Sequence, residues 1–140
     1  MIKVDPMTKL SRDFSLAEFL VTATGVENVP SSRAIRQLRY LVNSILQPLR
    51  DHLGMPIVVS SGYRNQAVNA QVGGVDNSQH LTGNACDISV EGYTPQMLID
   101  VIQGIGLPYD QLIAEEREGV RWLHLSYRPA DRFNRYQVIA

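Results

Sequence analysis

The sequence predicts an α+β domain in which a small, mostly antiparallel sheet is flanked by helices. Between residues 31 and 54, Ile35, Leu38, Val42, Ile45, Leu49 and Leu53 recur at steps of three and four, the period of one buried helical stripe. Three short stretches, PIVVSS, NACDISV and VRWLHLSYR, are β-branched or apolar enough to be strands, and YDQLIAE precedes the last closely enough to pair with it. Helices, a strand, a helix, a strand, a helix and a hairpin is the element order that results.

The first dozen residues are polar and read as a loose lead-in. Ser15 followed by Glu18 is a capping-box pattern, and Leu16, Phe19 and Leu20 give a brief helix an apolar face. TGVENVP is a loop. Ser31 or Ser32 caps the long helix, which Gly54 ends. Pro48 removes a backbone donor and clashes with the preceding turn, so a kink or a split is expected there. His52 falls in the last turn, where the helix dipole favours a cation. Ile57, Val58 and Val59 are expected to form a central strand. Ser61-Gly62 turns the chain, and Arg64 arrives just past the strand end. NQAVNAQV is a helix of two turns closed by Gly73-Gly74.

VDNSQHLTG has loop composition, which puts His80 on a loop or at its edge. In NACDISV, alternation places Asp87 with Ala85 and Ser89, and Cys86, Ile88 and Val90 on the other face. Thr94 caps a helix with Pro95 at its first position. Met97, Leu98, Val101, Ile102 and Ile105 form its apolar face, and Gly106 stops it. YDQLIAE and VRWLHLSYR are joined by a tight turn around Arg117-Glu118. In the tail RPADRFNRYQVIA, Phe133, Tyr136, Val138 and Ile139 are expected to pack back as an irregular segment.

The 140 residues are read as a single domain, 1–140, with a core of about 14–127. A net charge of -1 gives no electrostatic reason for a nucleic acid or an anionic membrane as partner. The single cysteine, Cys86, excludes an internal disulfide and reads as a small buried hydrophobe. No apolar run approaches the roughly 20 residues that span a bilayer. MIKVDPMTKLSRDFS lacks the apolar core of a signal peptide. A monomer made in the cytoplasm is expected.

The chemistry concentrates in SQHLTGNACD, residues 78–87, where His80 and Asp87 stand seven positions apart. A carboxylate inside the apolar run Ala-Cys-Asp-Ile is costly to bury unless it is paired or metal-bound. His124, between Leu123 and Leu125, repeats the anomaly. Imidazole and carboxylate suit a catalytic zinc, which takes three protein ligands and keeps one position open. Residue types alone leave two readings: one shared ion, or an Asp–His hydrogen bond.

SSGYR, SQHLTGNACD and WLHLSY occur in an order and approximate spacing that resembles the zinc D,D-peptidase family: the D-alanyl-D-alanine carboxypeptidases, the dipeptidases and related peptidoglycan endolysins, of the hedgehog/DD-peptidase fold. The family pattern Ser-x-His-x-x-Gly-x-Ala-x-Asp is met by Ser78, His80, Gly83, Ala85 and Asp87. The resemblance covers about residues 14–127 and is nearest the single-domain branch common in phage and prophage genomes. It implies Zn2+ held by His80, Asp87 and His124, with Arg64 on the substrate carbonyl or carboxylate. Ser78 would lie beside the metal and orient substrate.

The implied activity is hydrolysis of D-amino-acid peptide bonds in peptidoglycan stems or cross-links, by a carboxypeptidase or an endolysin-type endopeptidase. Such a protein would meet the cell wall after lysis or as part of a phage particle. A zinc-holding binding or structural module without catalysis is the alternative.

Many members of that family carry Glu three positions before the last zinc histidine, or His two before it. Arg121 and Trp122 stand there instead. A carboxylate for proton transfer must then come from the hairpin. A turn at Arg117-Glu118 pairs Glu116 with Gly119, Glu115 with Val120, Ile113 with Trp122 and Gln111 with His124. Glu115 then shares the face of His124, at the far end of the hairpin. Glu115 is the expected base, and Glu118 is the second candidate, on a loop that could fold over the zinc. A one-residue slip would favour Glu116.

Overall fold

In the computed structural model, which describes residues 4–129 and 133–140, the predicted α+β architecture is present. Residues 1–3 of the expected lead-in and residues 130–132 of the tail lie outside the described residues. The rest of the lead-in is not loose. Strands β1 (Lys9–Ser11) and β2 (Phe14–Ser15) form a small antiparallel hairpin that buries Leu10 and Phe14. Two apolar side chains among polar neighbours suffice for this, too few to stand out as a sequence pattern. The helix expected after Ser15 is one 3₁₀ turn, Leu16–Phe19, with the Glu18 carboxylate accepting from the Ser15 backbone N–H at 2.7 Å.

The long helix begins at Ser31, whose hydroxyl accepts from the Ala34 N–H. It runs as α1 (Ser32–Leu41), a π-helical turn over Val42–Leu46, and α2 (Gln47–Leu53), then closes at Gly54. The irregularity expected at Pro48 takes the form of that π turn, which divides the α-helical pattern into α1 and α2. The wider π turn directly before Pro48 absorbs the missing donor and the ring's bulk. Leu38, Val42, Ile45 and Leu49 are buried as the stripe requires, joined by Leu41 and Leu46, while Ile35 and Leu53 lie at its margin.

Five strands form the main sheet, in the order β3-β4-β6-β5-β7. They are β3 (Val58–Ser61), β4 (Ala85–Ser89), β5 (Gln111–Arg117), β6 (Val120–Ser126) and β7 (Gln137–Ile139). The first strand of the sheet was expected at its centre. β3 is an edge strand instead, and Val58 is exposed. β-Branched composition signals a pleated, partly covered surface rather than a place in the strand order. The tail also differs from expectation: β7 adds to β5 in parallel, Leu112 opposite Val138, so a parallel pair ends an otherwise antiparallel sheet. Phe133, Tyr136, Val138 and Ile139 stay exposed, although the Tyr136 ring meets Tyr109 edge-on with 5.0 Å between centroids.

Helices α3 (Gln66–Gln71) and α4 (Pro95–Gly104) begin at Asn65 and Thr94, each accepting from a backbone N–H three residues on. In α4 the buried residues are Pro95, Leu98, Ile99 and Ile102; Met97, assigned to the apolar face, is exposed. Cys86, Ile88 and Val90 of the second strand region join Leu112, Leu123 and Leu125 in the core. The opposite face of these strands is left for the polar residues.

Asp110, just ahead of β5, ties down the tail. Its buried carboxylate meets Arg128 at 3.2 Å and Arg135 at 2.8 Å, and also accepts from Gln79. Burial pushes its pKa up, but the Arg135 side chain and backbone N–H and the Gln79 amide outweigh that and hold it at about 2. A carboxyl depressed in the folded state contributes stability that is complete above its ordinary value near 4 and is lost as pH falls toward 2. The two arginines are partly exposed, so screening limits the contribution to about 1 kcal/mol. Urea titrations of wild type and Asp110→Asn are expected to differ at pH 5 and to converge by about 1 kcal/mol as pH approaches 2.5. An unchanged difference would mean that Asp110 stays ionised or contributes nothing.

Candidate metal centre

One row across the sheet builds the site. Ser61 pairs with Asp87, Asp87 with His124, His124 with Ile113, and Ile113 with Ile139. Side chains directly opposite on an antiparallel pair share a face a few ångströms apart. Asp87 and His124 are therefore brought together by strand register alone, though 37 residues separate them in sequence.

His80 arrives from a different element. The loop expected around it contains a 3₁₀ turn, Gln79–Thr82, which starts at Ser78 and ends at Gly83. The Ser78 hydroxyl accepts from the His80 N–H at 3.2 Å. Gly83 has φ +78, and a Cβ there would stand 2.5 Å from the Ala34 carbonyl oxygen of α1. Only glycine meets both demands, and the turn is thereby seated against α1 with His80 aimed at the sheet. The His80 backbone carbonyl also accepts from the Arg64 N–H, which fixes the two residues side by side.

The His80 ring is 2% exposed, and its Nδ1 donates to the Gly62 carbonyl at 2.6 Å. That bond sets the tautomer in which neutral His80 presents the Nε2 lone pair. Nε2 faces Asp87 Oδ1 at 3.3 Å, and His124 Nδ1 faces the same oxygen at 3.1 Å. A lone pair opposite a carboxylate oxygen is unfavourable unless a proton or a cation lies between them. Zinc bonds of about 2.0–2.1 Å in a tetrahedron separate neighbouring ligand atoms by roughly 3.3 Å. Both measured separations fit that edge, and the three ligand atoms all lie within 4.8 Å of one another. The donor set therefore fits a zinc ion held by His80 Nε2, Asp87 Oδ1 and His124 Nδ1.

Asp87 is buried, yet it is held as a carboxylate. Burial pushes its pKa up, while its contacts with His124 and His80 pull it below the usual carboxylate range, and a carboxylate is the form that a cation between these atoms needs. Its second oxygen faces Arg64 Nη2 at 3.5 Å. Cys86 on the neighbouring position points the other way into the core, where burial raises its thiol pKa well above the ordinary value and keeps it inert.

Arg64 points into the cleft, as its place past β3 suggested, and it has partners that sequence reasoning missed. Nε donates to Ser61 Oγ at 3.2 Å and Nη1 to Asn69 Oδ1 at 3.3 Å. Asn69 is buried in α3 and spends its amide on the Val75 carbonyl, so one side chain fixes both the guanidinium and the loop at the cleft rim. Asn69 carries no local sequence signal, since a polar residue in a short helix is usually solvated.

Asp87, His80 and His124 lie on the wall of a cleft of about 420 Å³, shared with Arg64, Ser78 and Glu115. Glu115 reaches it by a register that differs from the expected one. The hairpin turn is Glu118-Gly119, both with positive φ, and it pairs Glu115 with Trp122, Ile113 with His124 and Gln111 with Ser126. The shift is two residues along β6. Faces are conserved under an even shift, so Glu115 stays on the metal side and moves one pair nearer His124. Its charge is felt at Arg64. Glu116 pairs with Arg121 on the opposite face. Glu118, the second candidate, is exposed at the turn and is not part of the cleft wall.

The family model described as Peptidase M15 matches residues 12–121, a span that includes Arg64, Ser78, His80, Asp87 and Glu115 and stops short of His124. The zinc D-Ala-D-Ala carboxypeptidase of Streptomyces albus G is 43% identical over 44 residues. That match covers 31% of this chain and 17% of the relative, so the likeness to it is local.

Proposed function

The chain belongs to the peptidase M15 family, and from that membership we propose that it is a zinc-dependent peptidase cutting D-amino-acid peptide bonds of bacterial peptidoglycan. The observation that carries this reading is the His80 tautomer: with Nδ1 committed to Gly62, the Nε2 lone pair converges with Asp87 and His124 on one point. A zinc ion there supplies polarisation of a peptide carbonyl and acidification of water.

The chain's own residues account for the remaining steps. Arg64, held in place by Ser61 and Asn69, donates to the substrate's carbonyl oxygen as negative charge builds on it, or to a carboxylate beside it. Glu115 takes a proton from the attacking water as its oxygen bonds to the carbonyl carbon. The same carboxylate returns the proton to the amide nitrogen as the C–N bond breaks and the amine leaves. Ser78 keeps the His80 turn in place and offers its hydroxyl at the cleft wall. The absence of Glu at 121 and of His at 122 does not favour a zinc-holding module without catalysis, because Glu115 supports the missing carboxylate from the neighbouring strand.

The test is direct: metal analysis of purified protein, then release of D-alanine from D-Ala-D-Ala peptides and of new amino termini from cell-wall fragments. One equivalent of zinc with neither product formed would reject the peptidase and leave the binding module.

Arg64→Lys is expected to keep zinc and lose activity. Lysine retains the charge but has no planar fork to serve Ser61, Asn69 and substrate together. A charge-assisted hydrogen bond is worth about 1.5–3 kcal/mol, so kcat/KM should fall roughly ten- to hundredfold. Unchanged kcat/KM in this variant would remove Arg64 from the substrate contacts.

A further inference from the structure

A second guanidinium lines the metal cleft: Arg135, carried there by the chain segment that leads into β7. Its pose is fixed rather than free. Backbone N–H and Nε both donate to Asp110 Oδ1, at 2.9 and 3.1 Å, and Nη2 donates to Asp110 Oδ2 at 2.8 Å. Asp110 is in turn anchored, its backbone N–H donating to the Ser126 carbonyl and its carbonyl accepting from Gln137. Among the described residues, one carboxylate therefore faces two guanidinium groups, Arg128 and Arg135, an excess of one positive charge. Arg135 Nη1 has no partner among the described residues, and the side chain is 44% exposed.

Position along the sheet says what that partner would be. On the cleft face of β5, Gln111, Ile113 and Glu115 succeed one another, with Ile113 opposite His124. Glu115 lies to one side of the His124 row and Asp110, with Arg135, to the other. Asp110 precedes Ile113 by three residues, roughly 10 Å along a strand. An extended peptide crosses that distance in about three residues. A fixed cation with spare donor capacity suits an anion, and the planar fork suits a carboxylate.

We propose that Arg135 is a specificity-determining residue that binds a substrate carboxylate two or three residues from the scissile bond, opposite the Glu115 side. This rests on the peptidase reading of the same cleft. In a stem peptide cut at its last bond, the carboxylate at that distance is the one on the internal acidic residue; the free C-terminus stands on the residue next to the cut, and a version amidated there is the control.

The zinc-loaded full chain would be assayed with the pentapeptide L-Ala-γ-D-Glu-L-Lys-D-Ala-D-Ala. Two further versions would be used, one amidated at the glutamyl carboxyl and one at the C-terminus. Arg135→Ala is expected to raise KM about tenfold with kcat unchanged for peptides that keep the recognised carboxylate. It should have no effect on the version in which that carboxylate is amidated. Arg135→Lys should recover part of the loss. Arg128→Ala removes the other Asp110 partner from outside this cleft and is expected to leave KM as it is.

Calorimetric binding of the uncleaved product, L-Ala-γ-D-Glu-L-Lys-D-Ala, should weaken in parallel if the glutamyl carboxylate is the partner. Equal effects of Arg135→Ala on all three peptides, or equal effects of the Arg128 and Arg135 variants, would overturn the assignment while leaving the peptidase intact. Carboxylate-dependent binding that Arg135→Ala weakens, without any hydrolysis, would retain this site and reject the peptidase. Neither hydrolysis nor binding in wild type would reject both.

Discussion

Purified wild-type protein is expected to carry about one zinc per chain, and His80→Ala, Asp87→Ala and His124→Ala each to lose it together with all hydrolysis. Three protein ligands are the minimum that a catalytic zinc keeps. With one gone, the remaining pair has no preformed geometry to offset the cost of dehydrating the ion. The variants are not equivalent in the metal-free state. Asp87→Ala leaves the Arg64 guanidinium, already partly desolvated, without its carboxylate, and so is expected to destabilise the fold as well. His124 is the least buried of the three, and His124→Ala gives the clearest separation of metal loss from folding. Zinc at a thousandfold above its Kd stabilises a folded protein by about 4 kcal/mol, so wild type should melt higher on zinc addition and His124→Ala should not. Wild-type zinc content in the triple variant would refute the ligand assignment.

Why the site was so legible is a matter of where its determinants lie. Asp87 and His124 interrupt apolar strands, and burying a charge costs enough that such interruptions are rarely idle. His80 is held by short-range features, the Ser78 cap and Gly83, both within the same ten residues. The long-range supports left no such trace. Gly62 enters through its carbonyl oxygen, which no side-chain pattern encodes, and Asn69 resembles any polar helix residue.

Strand order was the weakest reading of the fold. Val58 and Val59 have strand composition whether the strand is central or at the edge, and β7 pairs in parallel through a backbone that any sequence could supply. The hairpin register was missed by two because the turn was placed at Arg117-Glu118. A two-residue hairpin loop favours positive φ at both positions, and Gly119 at the second of them was the available clue.

That same register decides the last expectation, that Glu115→Gln abolishes turnover while leaving fold and zinc in place. Glutamine keeps the size and hydrogen-bonding reach of the side chain but cannot accept and return a proton. General acid–base catalysis contributes typically 10²–10⁴-fold, so kcat should fall by about that factor. Glu115 pairs with Trp122 on the face that carries His124, lines the cleft, and acts electrostatically on Arg64. Glu118 has none of these properties. It occupies the turn with φ 52, a conformation that asparagine adopts with less strain. Glu118→Asn should therefore keep full activity and gain up to about 1 kcal/mol of stability from the relieved turn. Both variants are read in the same assay, with zinc measured in each to exclude metal loss as the cause. Near wild-type turnover in Glu115→Gln, with Glu118→Gln dead, would transfer the proton to the turn residue and show that the hairpin closes over the site during the reaction.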